Sequence, residues 1–326
     1  MRAVVCHGFG SPSVMKVCSV PIPKVEPLQV LVRVKAAGVN RGDIVQRMGH
    51  YPPPPGVTDI LGLEAAGVVE SIGSDVSSLK VGDRVMALLG GGGYADCVAV
   101  NETHCMPIPD QLDFITAAAI PETFLTAFQA IRLHTTTKAG DKVLFHAGAS
   151  GVGTAGCQLA RHFGATTIVT CSENKIEKKR GIADHIVSRH DVSTIAERVC
   201  DKVGENSVDL IVDPIFGGGY LEQNVKMLAV DGTVVVLGFM AGHKLPGMSA
   251  LPLFAKRASI KFSTLRSQSD GYKANLVRQF SESCYSALAL GQLKPIVQEV
   301  MPLEEASKAH EFMATNGTVG KLVLTM

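Results

Sequence analysis

Gly148, Ser150 and Gly153 lie between an apolar run and a stretch able to open a helix, with a spacing that can cradle a phosphate. The segment reads Val143-Leu144-Phe145-His146-Ala147-Gly148-Ala149-Ser150-Gly151-Val152-Gly153. A strand running into Gly148 and a helix opening near Gly153 would leave unpaired backbone N–H groups at the helix start. Peptide dipoles favour an anion there. Small residues let that backbone approach a pyrophosphate, so Gly148, Ser150, Gly151, Val152 and Gly153 are candidate dinucleotide contacts. Ser150 takes the middle glycine's place in the Gly-x-Gly-x-x-Gly fingerprint. A shifted frame, Gly151-x-Gly153-x-x-Gly156, matches in full but begins too late after the strand. For either frame the competing reading is a merely tight strand-to-helix turn.

The following strand refines the choice of cofactor. Dinucleotides with a free ribose are usually held by Asp or Glu at its tip, about 20 residues after the glycines. Here the strand ends Thr170-Cys171-Ser172, with Lys175 just beyond and Arg189 after the next short strand. A hydroxyl and two cations suit a 2′-phosphate, so Ser172, Lys175 and Arg189 point to NADPH. Two readings compete: Glu173 could hold a free ribose, and the cations could belong to a solvated face with Lys178, Lys179 and Arg180.

The elements that must position these residues follow from pattern. The first third carries short Val-rich runs closed by Gly or Pro, at Val30–Val34, Ala66–Ile72 and Asp83–Leu88, and reads as strands. Pro52-Pro53-Pro54-Pro55-Gly56 is a stiff loop and Gly90–Gly93 a loose one. From about Ala117 onward apolar strands alternate with helices: Lys142–His146, Thr167–Thr170, Val208–Asp213 and Thr233–Leu237, with a charged helix around Ile176–Arg180. That alternation predicts an α/β fold, a parallel sheet covered on both faces. An amphipathic helix at Tyr272–Leu290, a helix at Glu304–Ala314 and a strand at Lys321–Leu324 read as a return to the first domain. The boundaries are therefore 1–120 with 270–326 for one domain and 121–269 for the other.

Composition removes whole classes of function. The 326 residues carry 31 Lys+Arg against 30 Asp+Glu, a net charge of +1, which provides no basic field for nucleic acid or an anionic membrane. Aromatics are 5 %, with no Trp, too few for a base-stacking platform. With 46 % hydrophobic and 19 % charged residues the chain is too apolar for disorder. It shows no run of about 18 unbroken apolar residues. The N-terminus reads as a strand rather than a secretory signal, and the eight scattered cysteines include no Cys-x-x-Cys, so reduced thiols and a cytoplasmic location are expected.

Longer motifs add a family. The chain resembles, over essentially its whole length, the zinc-free quinone oxidoreductases of the medium-chain dehydrogenase/reductase superfamily, closest to the p53-inducible group. The matching segments are Asn40-Arg41-Gly42-Asp43, Gln46-Arg47-Met48-Gly49-His50-Tyr51 with the prolines that follow, Leu61-Gly62-Leu63-Glu64-Ala65-Ala66-Gly67, Val81–Leu88, Ile120-Pro121-Glu122-Thr123, His146–Ala155 and Leu265-Arg266-Ser267. The resemblance implies a GroES-like β-rich catalytic domain, a Rossmann domain inserted before its last segment, a cleft holding NADPH, and a homodimer.

Zinc-dependent relatives place Cys at Asn40 and His at Leu63. Losing a thiolate and an imidazole leaves too few ligands for a tetrahedral catalytic zinc, so no metal is expected. His104 and Cys105 read as a packed pair. A quinone suits such a site, because hydride converts it to a stabilised hydroquinone anion without a Lewis acid. By resemblance, Tyr51 and Asn40 orient the acceptor or supply a proton, although Tyr51 could simply pack on the prolines and Asn40 brace its loop. Arg266 and Lys321 are candidate cofactor contacts. Arg266 could equally face the surface or a dimer partner, and Lys321 could snorkel from a strand edge. Ser188 replaces an aromatic residue common in the group, which removes a wall for adenine. The expected activity is an NADPH-dependent reduction of quinones. Alternatives are an enone or enoyl-thioester reductase and a non-catalytic NADPH-binding or structural protein.

Overall fold

The computed structural model describes residues 1–175, 181–245 and 247–326. The expected charged helix around Ile176–Arg180 lies outside them. The chain divides into two compact units, Met1–Leu125 with Leu265–Met326, and Thr126–Thr264. The sequence-derived boundaries fall at 120/121 and 269/270.

The first unit is built on a seven-stranded sheet. In chain order its strands are β3 (Gln29–Val39), β4 (Glu64–Ile72), β5 (Arg84–Leu88), β6 (Cys97–Asn101), β7 (Cys105–Pro107), β14 (Val297–Pro302) and β15 (Lys321–Thr325). They lie in the order β14-β15-β3-β4-β5-β7, with β6 also paired to β3. β1 (Arg2–Cys6) and β2 (Met15–Ser19) pair as a second, two-stranded sheet, with Ala3 bridged to Ala95. Alternating valines and alanines on β3 and β4 turn one face into a core with Leu61, Tyr94, Leu322 and Leu324. The C-terminal β15 runs antiparallel to β3, with Leu322 opposite Val39. That register carries Lys321, the next residue outward, alongside Asn40 at the start of α1 (Arg41–Arg47).

The second unit holds six strands, β8 (Lys142–Phe145), β9 (Thr166–Cys171), β10 (His185–Ser188), β11 (Val208–Asp213), β12 (Leu228–Val236) and β13 (Ser259–Phe262). All pairs are parallel and the order is β10-β9-β8-β11-β12-β13. Counted from β8 this is the 3-2-1-4-5-6 order of a doubly wound sheet, whose direction of winding switches between β8 and β11. Its strands read as continuous apolar runs because helices cover both faces: α4 (Gly151–His162), α5 (Ile195–Val203) and α6 (Tyr220–Met227).

One expectation needs correction, and one segment needs placing. The stretch Phe114–Leu133, interrupted by Pro121, Glu122, Gln129 and Arg132, is long and apolar enough on average to cross a membrane. It is 72 % buried inside the protein and breaks into α2 (Phe114–Ala117), α3 (Pro121–Phe128) and a π turn at Gln129–Leu133, as a core segment would. The Gly90–Gly93 loop is tightly packed: a Cβ on Gly91 would stand 2.9 Å from the Thr58 carbonyl oxygen, and one on Gly93 2.9 Å from that of Glu64.

Candidate active site

The glycine loop is shaped by contacts a side chain would destroy. A Cβ on Gly148 would lie 2.3 Å from Cβ of Val169 on β9, and one on Gly153 2.6 Å from Cα of Gly148. Ala147 reaches the loop through a left-handed φ of 50°, a strained conformation for a residue with a Cβ. Ser150 is the N-cap of α4, its Oγ accepting the Gly153 N–H at 3.1 Å. Gly151 and Val152 therefore open the helix that follows β8. The first frame is the structural one. Gly156 of the shifted frame lies inside α4, where a Cβ would meet the Phe145 ring at 2.2 Å, so it serves helix–strand packing. This cradle fits a dinucleotide pyrophosphate.

The expected adenosine-side residues gather at one sheet end. Register pairs Cys171 of β9 with Ser188 of β10, so Ser172 and Arg189 leave adjacent strands at the same level. Lys175 ends a short turn whose N–H returns to the Ser172 carbonyl at 3.0 Å. Glu173 faces Ser188 and His190, at 3.3 and 3.8 Å. Arg189 lies close enough to the Tyr220 hydroxyl to act on its charge.

Beneath this end lies a buried network that sequence reasoning missed. His146 Nδ1 is 2.8 Å from Thr170 Oγ1 and its Nε2 2.6 Å from Asn224 Oδ1, while Asn224 donates to Asp213 at 2.7 Å. Tyr220 meets the His146 ring edge-on at 5.0 Å. Burial holds the imidazole below its ordinary value, against the pull of Asp213. His146 stood in a motif already singled out, but nothing local indicates that β9, β11 and α6 converge on it.

On the other unit a second polar group is sealed in the core. Lys321 Nζ lies 2.6 Å from Glu64 Oε1, 2.6 Å from Asn40 Oδ1 and 2.8 Å from the Val39 carbonyl. Asn40 Nδ2 donates to Glu64 Oε1 at 2.9 Å and faces the Gly38 carbonyl at 3.4 Å. Gly38 has no alternative here, since its Cβ would stand 2.1 Å from Glu64 Oε1. The other Glu64 oxygen accepts the Glu122 N–H at 2.9 Å. Burial, with the negative charge of Glu64 adding to it, pushes the Glu122 carboxyl up to about 8.

Asp43 anchors the neighbouring loop. It accepts the N–H groups of Asn40 and Gly62 and the Tyr94 hydroxyl, at 2.8, 3.1 and 3.0 Å. Burial nevertheless raises it to about 6. Tyr94 also faces His310 Nε2 at 3.2 Å, and burial lowers that imidazole to about 3.

Tyr51 and Arg266 meet above α1. The Arg266 guanidinium lies 5.1 Å from the Tyr51 ring centroid, its Nε donates to the Gly90 carbonyl at 2.6 Å and its Nη1 to the Tyr51 carbonyl at 3.2 Å. Leu63 is buried, and both it and the Tyr51 ring crowd the Cα of Gly42. Burial, helped by Glu122, raises the Tyr51 phenol to about 12, so it stays protonated at any working pH.

This geometry bears on the competing readings of these residues. Arg266 is buried, with 3 % exposure, so it is not a surface residue. Lys321 does not snorkel: its three N–H donors are all committed inside its own unit. Asn40 has both amide hydrogens and its oxygen engaged. Arg266 and Lys321 both belong to the unit that lacks the glycine loop. His104 and Cys105 are buried as a packed pair, with His104 Nε2 3.3 Å from the Asp270 carbonyl.

Comparison with known proteins agrees with this architecture. Residues 26–110 match the alcohol dehydrogenase GroES-like domain and residues 183–324 the zinc-binding dehydrogenase family. The human quinone oxidoreductase is 32 % identical over 334 residues, covering 100 % of this chain and 98 % of that protein. Among solved structures, a mycobacterial protein in complex with NADPH superposes with a TM-score of 0.88 at 27 % identity, each chain covered fully. An NAD-dependent alcohol dehydrogenase gives 0.87 at 31 %, also over both full chains. The CurK enoyl reductase gives 0.86 at 27 %, covering 100 % of this chain and 99 % of that one. A doubly wound sheet with its glycine loop, a GroES-like sheet, and likeness at this level over the full length together establish that this chain belongs to the medium-chain dehydrogenase/reductase superfamily, among the quinone oxidoreductases.

Proposed function

We propose that the protein is an NADPH-dependent, zinc-independent quinone reductase. The observation that carries this reading is the full-length likeness to quinone oxidoreductases, in a chain whose candidate site offers neutral and cationic hydrogen-bond donors. Gly148, Ser150, Gly151, Val152 and Gly153 would hold the pyrophosphate, and Ser172, Lys175 and Arg189 the 2′-phosphate. The reduced nicotinamide, when bound, supplies a hydride. Tyr51 keeps its proton and can donate a hydrogen bond to the acceptor. Asn40 and Lys321 act as positioning residues, fixing Glu64 and the start of α1 rather than touching acceptor or cofactor.

The donor set supports zinc independence. Asn40 and Leu63 stand at the positions where zinc relatives carry Cys and His; the amide is fully bonded and the leucine is core. Among the described residues no group of three His, Cys, Asp or Glu side chains is placed to share a cation. Exhaustive chelation should leave turnover intact; activity that tracks a stoichiometric metal would refute the proposal.

A homodimer is proposed through β13. This outermost strand pairs with β12 on one side, and Phe262 and the nearby Phe239 are 60 % and 50 % exposed. We further propose a cytoplasmic location, the compartment that keeps such thiols reduced. A second reading, reduction of enones or enoyl thioesters, draws on the likeness to the enoyl reductase. The role of Tyr51 is tested by Tyr51→Phe, which should lower kcat for a naphthoquinone at least about tenfold with little change in Tm. Unchanged kinetics would make Tyr51 a packing residue.

A further inference from the structure

Arg266 is a buried cation with one N–H group left without a partner. Its side chain is held on three sides: Nε by the Gly90 carbonyl, Nη1 by the Tyr51 carbonyl, and one face by the Tyr51 ring. Its Nη2, sealed from solvent, has no hydrogen-bond partner. Asp43, Glu122 and Asp59 act on it only from a distance, and among the described residues no carboxylate lies within ion-pair reach, whereas Lys321 touches Glu64. A guanidinium stays protonated in proteins, so a fixed N–H of a cation is left over. An unsatisfied buried donor is expensive, by roughly 1–3 kcal/mol or more for a charged group, and one this rigidly braced persists where a ligand supplies the missing acceptor.

We propose that Arg266 Nη2 is an acceptor-binding donor, receiving the substrate oxygen on which negative charge gathers during reduction. This rests on the quinone-reductase reading and replaces the expected contact of Arg266 with the cofactor. Reduction of a quinone by NADPH delivers two electrons and one proton as hydride, producing NADP⁺ and the hydroquinone monoanion; a second proton, from solvent or a neighbouring group, completes the hydroquinone. The transient charge is the monoanion's oxygen. A preoriented cation with one unused N–H stabilises that state more than the neutral quinone, which is the condition for raising kcat rather than merely tightening binding. The Gly90 and Tyr51 carbonyls fix the fork, so aiming Nη2 requires no reorganisation when charge appears. Lysine could supply the charge but not the fork.

The experiment compares the wild type with Arg266→Lys and Arg266→Gln. It measures steady-state kinetics with 1,4-naphthoquinone and calorimetric binding of 2-hydroxy-1,4-naphthoquinone, a stable oxyanion, beside neutral 1,4-naphthoquinone. Both variants should lose about a hundredfold in kcat while the KM for NADPH stays within about twofold. In Arg266→Gln the anion should bind about ten- to a hundredfold more weakly, and the preference for anion over neutral quinone should vanish. Loss of NADPH affinity with unaltered quinone parameters would overturn the proposal and restore Arg266 to the cofactor. Unchanged anion preference in a folded variant would overturn it too, leaving Arg266 a brace. A wild type that binds the anion through Arg266 but reduces no quinone would refute the quinone-reductase reading while upholding the donor role.

Discussion

Lys321 Nζ and Glu64 Oε1 lie 2.6 Å apart, with side chains 3 % and 0 % exposed. The pair joins the last strand of the chain to β4, and with Asn40 it fixes the loop that leads into α1. Desolvating two charges offsets much of their attraction, so the pair itself adds little to stability. Removing one partner is different, because the other is then left buried and uncompensated. Lys321→Met should destabilise the protein by about 3–5 kcal/mol in denaturant unfolding. Lys321→Met combined with Glu64→Gln should recover most of that loss; equal damage in single and double variants would contradict a coupled pair.

Glu122 gives stability a pH dependence of known sign. Its carboxyl is raised from an ordinary 4.5 to about 8 in the folded protein. The folded state thus holds a proton that the unfolded chain releases near 4.5. This contribution is complete below that value and is lost as pH rises through about 8. Glu122→Gln should flatten the decline in stability between about pH 4.5 and 8 and exceed the wild type at pH 9. Parallel curves for the two proteins would show that Glu122 does not hold this proton.

Selectivity between NADPH and NADH isolates the assignment of Ser172, Lys175 and Arg189. Lys175→Ala should lower kcat/KM for NADPH about ten- to a hundredfold and leave NADH almost untouched. A wild type that prefers NADH would hand the ribose to Glu173 instead.

The shape of the glycine loop was legible because it is local: Gly148, Ser150 and Gly153 lie within one strand–turn–helix unit. The parallel sheet was legible as well, since continuous apolar strands alternating with helices require two covered faces. What sequence could not reveal was convergence across the sheet. Lys321 reaches Asn40 only through the pairing of Leu322 with Val39, more than 280 positions apart, and so read as an edge lysine. Arg266 meets Gly90 across 176 positions. The Gly90–Gly93 loop read as loose because glycine permits freedom; here the same lack of Cβ permits close packing.

The exposed edge of β13 makes association testable. Wild type should elute at dimer mass in light-scattering chromatography, and Phe262→Glu should shift it to monomer by placing charge on the pairing edge. A monomeric wild type at micromolar concentration would remove β13 as an interface.

Acceptor-dependent oxidation of NADPH, followed at 340 nm with 1,4-naphthoquinone, a simple enone and an enoyl thioester in parallel on the chelator-treated protein, decides whether the protein is a zinc-independent quinone reductase. A quinone reductase will show saturable turnover with the naphthoquinone, and a kcat/KM at least about tenfold above either alternative acceptor. Turnover confined to the enoyl thioester, or no oxidation with any acceptor, would contradict that reading.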